Sequence, residues 1–368
     1  MRNFLLSLLL LGGVGCSKLS IPIKGVKPVK KLFSPVWIKD MDVDHPTGNL
    51  PVGLQSPAIH QGILYMGHNI GKMKAFDLSN GRQVWSEQEG QPYHSAPIVH
   101  QNLVIYGNVE GRLFARERLS GKLVYNIDLG ASIESKPIIY SGRLLVHTRN
   151  HKVVCLDAVT GKILWAYKRS VPFITTLQRV SRPEVKDNKV YVGFADGFLA
   201  AFSLEEGVLL WESKVVDGAK FIDIDTHPIF FSGKIVVGSQ SGPLSIINPI
   251  GGMIERRLPY NVARAPIIAN GYLLVGTSEG ELVRLDENFK EVAKLKVSKD
   301  SITSLVLWKK KVIASTTGGD LIALEPDLSK TFDQFNFGHS SSALFGELVV
   351  QGDTLAAYSS RNHLYVFR

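Results

Sequence analysis

The sequence predicts an all-β protein: an eight-bladed β-propeller of four-stranded antiparallel blades, closed by an N-terminal strand that completes the last blade. Three observations predict this fold. A β-meander recurs at intervals of about 40 residues, a turn residue that tolerates positive φ recurs at one place in every repeat, and the two chain ends supply the parts of a single blade. One meander cannot bury both of its faces, so the copies must stack on one another.

The repeat is clearest in residues 137–165, PIIYSGRLLVHTRNHKVVCLDAVTGKILW. The runs PIIY, RLLVHT and KVVCLD are short and rich in Val, Ile, Leu and aromatic residues, as strands are. Turn residues separate them at Ser141-Gly142 and at Arg149-Asn150-His151, and a fourth strand opens with ILWAY. This pattern predicts a four-stranded antiparallel meander.

Equivalent positions can be found in all eight repeats. The apolar residue that opens the third strand is Met73, Leu113, Val153, Leu199, Leu244, Leu282, Leu321 and Leu364. The turn residue two places earlier is Gly71, Gly111, His151, Gly197, Gly242, Gly280, Gly319 and Asn362, all types that tolerate positive φ. The first strand is introduced by Pro57, Pro97, Pro137, Pro183, Pro228 and Pro266, and then by Leu305 and Leu348. The fourth strand carries Trp85, Tyr125, Trp165 and Trp211.

The chain ends predict how the ring closes. The last repeat stops after three strands, whereas residues 34–40 resemble an isolated fourth strand with Trp37 in the tryptophan position. Pairing the two ends would complete the eighth blade and leave no open edge in the ring.

The N-terminal segment predicts export and a lipid anchor. Residues 4–14 are largely apolar but too few to span a bilayer, so residues 1–15 are interpreted as a signal peptide. The sequence Gly-Val-Gly-Cys ending at Cys16 resembles a bacterial lipobox, which predicts lipidation of Cys16 and the outer membrane as destination, because Ser17 and not Asp follows. An ordinary signal peptide with an incidental cysteine is the alternative. Residues 16–33 then form a tether, and residues 34–368 the propeller.

Charge and cysteine usage exclude several functions. The net charge of +9 could indicate nucleic acid, an anionic membrane surface or an acidic partner, but export excludes most nucleic-acid roles and the positive charge forms no dense run. Lipidation of Cys16 would leave Cys155 without a disulfide partner, and its place between apolar residues predicts a small buried side chain. The histidines are scattered singly, so the sequence predicts neither a metal site nor a cofactor.

Two repeats are longer than their neighbours, and the extra residues fall in two connections. One lies between Trp165 and Pro183 and the other between Trp211 and Pro228. Both flank the fourth blade on one face of the disc, and both mix apolar with charged residues, as protein-binding loops do. The alternative is that these residues extend the blade strands and bond only their own neighbours.

The chain resembles a known family at these positions. The sequence Asp-x-x-x-Gly-Lys-x-x-Trp from Asp157 to Trp165 is similar to the signature of PQQ-like propellers, and the resemblance covers residues 34–368. The lipoprotein signal, the eight blades and the segment FIDIDTHPIF at residues 221–230 are similar to the BamB family of outer-membrane lipoproteins, which belong to the β-barrel assembly machinery.

The resemblance implies a non-enzymatic scaffold that faces the periplasm. Asp223 and Asp225 would dock on the periplasmic POTRA region of a BamA-like protein. Leu177, Gln178 and Arg179 would form the companion site, although the family's first Leu is a threonine here and the arginine comes one place late. The other implied partners are unfolded outer-membrane proteins and, through the lipid, the outer membrane itself.

Two further functions compete with this one. A PQQ-dependent dehydrogenase would need a cofactor over a central Trp, a Ca²⁺ site and, in alcohol dehydrogenases, a vicinal cysteine pair, and the sequence contains no sign of them. A generic periplasmic propeller could instead bind a peptide or glycan at its channel mouth through Lys72, Tyr93, His94 and Arg264.

Overall fold

The computed structural model describes residues 31–41, 54–171, 180–218, 222–224, 226–338 and 342–368. The chain divides into two units, Met1–Leu32 and Phe33–Arg368. Only Lys31 and Leu32 of the first unit are described, so the predicted signal peptide and Cys16 lie outside the described residues. Within the described part of the chain the regular elements are 32 β-strands, with no helix, and none of the described residues therefore belongs to a helix that could cross a membrane.

The first four blades follow the chain in order. Blade 1 contains β2 (Ala58–His60), β3 (Ile63–Gly67), β4 (Lys72–Asp77) and β5 (Gln83–Gln88). Blade 2 contains β6 (Ile98–His100), β7 (Leu103–Gly107), β8 (Arg112–Glu117) and β9 (Leu123–Asp128). Blade 3 contains β10 (Ile138–Tyr140), β11 (Arg143–His147), β12 (Lys152–Asp157) and β13 (Ile163–Lys168). Blade 4 contains β14 (Glu184–Lys186), β15 (Lys189–Gly193), β16 (Phe198–Ser203) and β17 (Leu209–Lys214).

The remaining blades end with the one that joins the chain ends. Blade 5 contains β18 (Ile229–Phe231), β19 (Lys234–Val237), β20 (Leu244–Ile247) and β21 (Ile254–Leu258). Blade 6 contains β22 (Ile267–Ala269), β23 (Tyr272–Gly276), β24 (Glu281–Leu285) and β25 (Glu291–Lys296). Blade 7 contains β26 (Ile302–Trp308), β27 (Lys311–Thr316), β28 (Asp320–Leu324) and β29 (Thr331–Asn336). Blade 8 contains β30 (Val349–Gln351), β31 (Thr354–Tyr358), β32 (His363–Phe367) and β1 (Pro35–Asp40).

The strand order confirms the predicted propeller and its closure. Seven sheets are antiparallel meanders of four consecutive strands, and the eighth has the order β1-β32-β31-β30. In that sheet Trp37 pairs with Val366 and Asp40 with His363. The N-terminal strand therefore completes the last blade, and its hydrogen bonds to β32 close the ring.

The repeated positions behave as their sequence pattern predicts, with one difference. All eight apolar residues that open the third strands are 0% exposed. The turn residues two places earlier have positive φ in seven blades, including His151 at 62° and Asn362 at 61°. The exception is Gly242 of blade 5, which precedes Pro243. A residue before proline is held in extended backbone by the proline ring, and this explains why the turn differs there.

The hydrophobic core is divided into layers between neighbouring blades. Between blades 3 and 4, for example, Val153, Cys155 and Trp165 pack against Val190 and Phe202. Cys155 is fully buried in this layer, and burial raises the pKa of its thiol. Every layer depends on two blades, so no blade has a complete core of its own.

The fourth-strand tryptophans join adjacent blades by a repeated contact. The indole nitrogens of Trp37, Trp85, Trp165 and Trp211 donate to the carbonyl oxygens of Leu78, Arg118, Leu204 and Pro249, at 2.9 to 3.1 Å. Each acceptor lies in the turn between strands three and four of the next blade. A glycine with positive φ in the same turn lies under the ring, and a Cβ built on Gly207 would be 2.5 Å from the Trp165 ring.

Blades 5 and 7 replace the tryptophan in different ways. In blade 5 Arg256 occupies the position and donates from Nη1 to the Asn288 carbonyl of blade 6, at 2.7 Å. In blade 7 the position is Asp333, whose carboxylate accepts the backbone N–H of Phe33 at 3.2 Å. The Phe33 ring is 3% exposed and stacks on Trp308 at 6.1 Å between centroids. Phe33, two residues before β1, therefore fills the interface between blades 7 and 8.

Replacing Gly207 by alanine should destabilise the propeller by about 3 kcal/mol, because the new Cβ combines positive φ with a clash against the Trp165 ring. Gly142→Ala is the matched control: φ is +75° there, but nothing lies within 4 Å of the new Cβ, so only the backbone cost of about 1 kcal/mol remains. Denaturant unfolding of the two variants measures the difference. Equal losses would show that the indole contact does not constrain this turn.

Candidate protein-binding site

The two long connections predicted from the sequence lie on the same face of the disc. Residues 169–183 connect β13 to β14, and residues 215–228 connect β17 to β18, so each leads from the outer strand of one blade to the inner strand of the next. They meet where the Ser181 hydroxyl donates to the Thr226 carbonyl oxygen at 2.9 Å. A third long connection, residues 41–57, leads from β1 to β2. The spacing between repeats does not reveal this connection, because it precedes the first complete repeat and no spacing between two repeats includes it.

Arg169 fixes the start of the first connection. Its guanidinium donates from Nε to Asp196 and from Nη1 to Glu212, each at 2.6 Å, and it lies over the Phe198 ring at 4.5 Å. All three partners belong to blade 4. The Arg169 side chain is only 12% exposed, and its ion pairs raise the pKa of the guanidinium although burial opposes this. The connection therefore leaves blade 3 already attached to blade 4.

The end of the first connection is held from blade 3. The Nδ1 atom of His147 lies 2.8 Å from the Ser181 carbonyl oxygen, and because that oxygen can only accept, Nδ1 carries the proton. Burial lowers the pKa of His147 to about 3, so the ring is neutral at physiological pH. This contact positions Ser181 for its hydrogen bond to the second connection.

The second connection packs closely on blades 4 and 5. The backbone N–H groups of Val215 and Ile224 donate to the carbonyl oxygens of Gly197 and Phe194 in blade 4. Ile224 is 1% exposed, and a Cβ added to Gly193 would be 2.5 Å from its side chain. Thr226 exchanges hydrogen bonds with the backbone of Gly238 in blade 5. These contacts match the alternative in which the connection bonds its own neighbours.

The structure describes only one of the five predicted docking residues. Asp223 lies in the second connection and is 1% exposed, so its carboxylate does not form part of the outer surface. Asp225 lies outside the described residues, and so do Leu177, Gln178 and Arg179. The predicted docking site thus remains a prediction, and contact between Asp223 and a partner requires this connection to move.

The inner ends of the same connections line the central channel. A cavity of about 280 Å³ lies there. One equivalent residue of each blade lines it. The residue lies two places before the first strand in seven blades and inside β26 in blade 7, and the ring consists of Ser56, Ala96, Lys136, Arg182, His227, Ala265, Ser304 and Glu347. The prolines that follow most of these positions belong to the repeat predicted from the sequence, but the positions themselves do not. Comparing the residue before each of those prolines across the repeats would have revealed the ring.

The residues proposed for a channel-mouth ligand are only partly brought together. His94 and Arg264 line the cavity. Tyr93 is 0% exposed and its hydroxyl donates to the Glu89 carboxylate, so it cannot bind a ligand at the mouth. Lys72 lies in β4, where it pairs with Gln88 of the outer strand. Of the four residues named for this hypothesis, His94 and Arg264 therefore lie at the cavity, whereas Tyr93 and Lys72 do not line it.

None of the tryptophans is placed to stack on a quinone in the described channel. All five tryptophans of the chain are described, and each donates its indole N–H to a carbonyl of a neighbouring blade, the fifth being Trp308 with Asp353. None of the five lines the described cavity. Among the described residues no three His, Cys, Asp or Glu side chains are grouped closely enough to hold a metal ion.

Comparison with known proteins finds outer membrane assembly factors and alcohol dehydrogenases. A family profile described as outer membrane protein assembly factor BamB matches residues 69–296. The crystal structure of BamB from Moraxella catarrhalis superposes with a TM-score of 0.77, covering 91% of this chain and 99% of that one at 17% identity. BamB of Legionella pneumophila is 26% identical over 122 residues, which is 32% of each chain. Quinohemoprotein alcohol dehydrogenase ADH IIB of Pseudomonas putida is 32% identical over 93 residues, or 24% of this chain and 14% of the enzyme.

The fold and the tryptophan contacts define the chain as an eight-bladed propeller of the PQQ-like class. The profile match covers more than half of the chain. The chain belongs to the family of the outer membrane protein assembly factor BamB. The chain aligns with 32% of the Legionella pneumophila protein and with 14% of the Pseudomonas putida enzyme. The structural match to BamB of Moraxella catarrhalis, at 17% identity, shows the fold alone.

Replacing Arg169 by methionine should destabilise the protein by about 2 kcal/mol, because Asp196 loses its charged partner at a site from which water is largely excluded. The rate of amide hydrogen exchange at the start of the connection should also rise. The backbone N–H of Arg169 donates to the His151 carbonyl oxygen, and this hydrogen bond should open more often when the side chain no longer holds the connection. Lys294→Met removes an equally short but more exposed ion pair, to Glu281 at 2.7 Å, and should change little. Equal stability of the two variants would contradict the role given to Arg169.

Proposed function

We propose that this protein is a lipid-anchored, non-enzymatic scaffold of the machinery that assembles β-barrels in the outer membrane. It docks on the periplasmic POTRA region of a BamA-like barrel through the face that carries the connections 169–183 and 215–228. The observation that carries this proposal is the family match over residues 69–296, which includes both connections.

The geometry of the two connections supports a docking role. Within their described residues both connections are attached to blade 4, and they contact each other at Ser181 and Thr226, so the propeller holds these parts of the two connections side by side. The mixture of apolar and charged residues in residues 172–179 also suits a partner surface.

The proposed anchor keeps the disc close to its partner. Residues 1–15 would be removed as a signal peptide, Cys16 would carry the acyl chains, and residues 16–33 would act as tether between lipid and propeller. Each buried methylene contributes about 0.8 kcal/mol, so two or three chains hold a protein at a membrane almost permanently. The disc would then face the periplasm and remain concentrated near other outer-membrane proteins.

Unfolded outer-membrane proteins are the second proposed partner class. The outermost strand of each blade is hydrogen-bonded on one side only, and several of these strands expose apolar residues: Ile38 (51%), Val84 (46%), Leu164 (43%) and Leu210 (47%). A free strand edge with apolar side chains can pair with an extended client segment. This second role needs no catalytic group.

An oxidoreductase is not proposed, although alcohol dehydrogenases are among the similar proteins. The positions of the five tryptophans support the scaffold, because each is used to join two blades and none faces the channel cavity among the described residues.

Asp225→Arg should reduce recovery of a POTRA-containing barrel protein with the tagged full chain by about tenfold, because it reverses one charge at the proposed interface. The measurement is a pull-down from detergent-solubilised envelopes. Glu205→Arg is the control, an equal charge reversal at the exposed outer turn of the same blade, and should leave recovery unchanged. Equal recovery with both variants would place the interface elsewhere.

The Asp223→Asn variant distinguishes a role of this buried carboxylate in docking from a role in the packing of the propeller, when recovery in the pull-down and the melting temperature are both measured. If Asp223 contacts the partner after the connection moves, recovery should fall while the melting temperature stays unchanged. A lower melting temperature together with lower recovery would show that this carboxylate acts within the propeller and not at the interface.

A further inference from the structure

The first strands of the eight blades form the innermost wall of the disc. First strands of neighbouring blades contact each other, as β2 does with β6 and with β30. Each first strand is an end strand of its sheet, so only one of its two edges pairs with another strand of that sheet. The other edge faces the central channel, and the channel wall therefore consists of strand edges.

The middle position of these first strands is apolar in every blade. It is occupied by Ile59, Val99, Ile139, Val185, Phe230, Ile268, Leu307 and Val350. None of these eight side chains is buried, and Ile268 is 47% exposed. Their partners on the second strands, such as Leu64 opposite Ile59 and Leu273 opposite Ile268, are all 0% exposed. The channel therefore has a belt of apolar side chains that the core does not cover.

A second cavity, of about 450 Å³, lies against this wall at blades 4, 5 and 6. Its apolar lining consists of Val185, Ile229, Phe230, Pro266, Ile267 and Ile268, and the rest of its lining of Arg182, Glu184, Lys186 and His227. Arg182 and His227 also line the first cavity, so the second begins at the ring and continues along β14, β18 and β22. A concave apolar wall with a few polar groups is typical of a ligand site, and this volume lies within the usual range of about 300–1,000 Å³.

The cavity wall is held in place by contacts within the propeller. The ring of Phe230 packs against that of Tyr191 in blade 4, with 5.1 Å between centroids, and Tyr191 is 2% exposed. On the other side, the Lys186 ammonium lies 4.7 Å from the centroid of the Phe230 ring. Burial raises the pKa of Glu184 although Arg182 opposes this, so the wall is partly removed from water. A ligand would therefore meet a wall whose side chains are already ordered, which lowers the entropic cost of binding.

Backbone groups of this wall point into the channel. A two-residue turn with positive φ at both residues follows each of the three strands: Asp187-Asn188, Ser232-Gly233 and Asn270-Gly271. The residues that flank such a turn exchange hydrogen bonds, and the next pair in an antiparallel ladder exchanges none. Val185, Phe230 and Ile268 belong to that next pair. Their N–H and C=O groups therefore point away from the second strand and towards the channel.

These backbone groups distinguish between two kinds of apolar ligand. A hydrocarbon chain would displace water from the N–H and C=O groups without replacing its hydrogen bonds, and that loss is unfavourable. An extended peptide instead offers its own N–H and C=O groups to a strand edge, while its side chains fill apolar pockets. The wall therefore fits a peptide better than an acyl chain.

We propose that the channel wall of blades 4 to 6 binds an extended apolar peptide segment. The peptide backbone pairs with the free edge at Val185, Phe230 or Ile268, and its apolar side chains enter the second cavity. The volume of this cavity limits the bound stretch to a few residues. This inference does not rest on docking to a BamA-like barrel, and the site is separate from the outer strand edges proposed above for unfolded clients.

The test is fluorescence anisotropy of a labelled peptide, Ser-Ser-Val-Ile-Val-Phe-Val-Ser-Ser, titrated at pH 7.5 with the full-length protein in lipid nanodiscs. Nanodiscs keep free detergent out of the apolar site, and empty nanodiscs give the baseline. We expect saturable binding that Ile268→Asp weakens at least tenfold, because it places a charge in the apolar cavity. Leu119→Asp is the matched control: it makes the same change at a 55% exposed residue in an outer turn of blade 2, and should bind like the parent.

A second peptide tests the backbone pairing. The same sequence with methyl groups on two successive central amide nitrogens keeps every side chain but loses one donor on each edge. It should bind about tenfold more weakly than the unmethylated peptide. Equal affinities of the two peptides would contradict pairing with a strand edge and overturn the proposal.

The remaining outcomes separate this site from the other roles of the protein. Equal affinities of the parent and Ile268→Asp would overturn the channel site, and would leave the outer strands as the place where peptides bind. Saturable binding of dodecanoate without binding of the peptide would assign the cavity to acyl chains and also overturn the proposal. Should Ile268→Asp fail to fold, Ile268→Gln decides: we expect a several-fold loss of affinity, and unchanged affinity would contradict the site.

Discussion

A tryptophan ring packed on a glycine of the next blade is the contact on which the propeller depends. At Trp165 the indole N–H bonds to the Leu204 carbonyl while the ring covers Gly207, whose missing Cβ leaves the space that the ring fills. The contact satisfies a buried donor, fixes a turn with positive φ and sets the distance between two blades at once. Each core layer lies between two blades, so this contact sets how closely the layer packs at the four interfaces that have it.

One of the interfaces that lack this contact shows how the ring tolerates variation. Blade 7 has Asp333 in place of a tryptophan. Phe33, which lies just N-terminal to the propeller strands, supplies an aromatic ring at this interface, and its backbone N–H donates a hydrogen bond to the Asp333 carboxylate. Ring closure therefore involves more than strand pairing. The strand β1 joins blade 8, and Phe33, two residues before it, packs into the interface between blades 7 and 8. The N-terminal segment of the propeller thus completes both the last sheet and the core layer between blades 7 and 8.

The face that carries the long connections also contains the charged wall of the channel. Arg182 and His227 end the two connections, so their inner ends line the cavity while Arg169 holds an outer end against blade 4. A rigid disc leaves such loop positions free to vary without loss of the fold. One equivalent position near the start of each inner strand therefore carries different side chains in different blades, and these residues together line the cavity.

The sequence by itself determined the fold, because the period of about 40 residues, the turn chemistry and the matching chain ends are local signals that all agree. The position of every third strand and the partner of β1 follow from such signals. Only the tertiary structure decided that Asp223 is buried, that Tyr93 is inaccessible and that Lys136, Arg182 and Glu347 share one cavity. Burial and charge clustering depend on residues from distant blades meeting at one axis, and no local pattern of the chain records which of them will face each other.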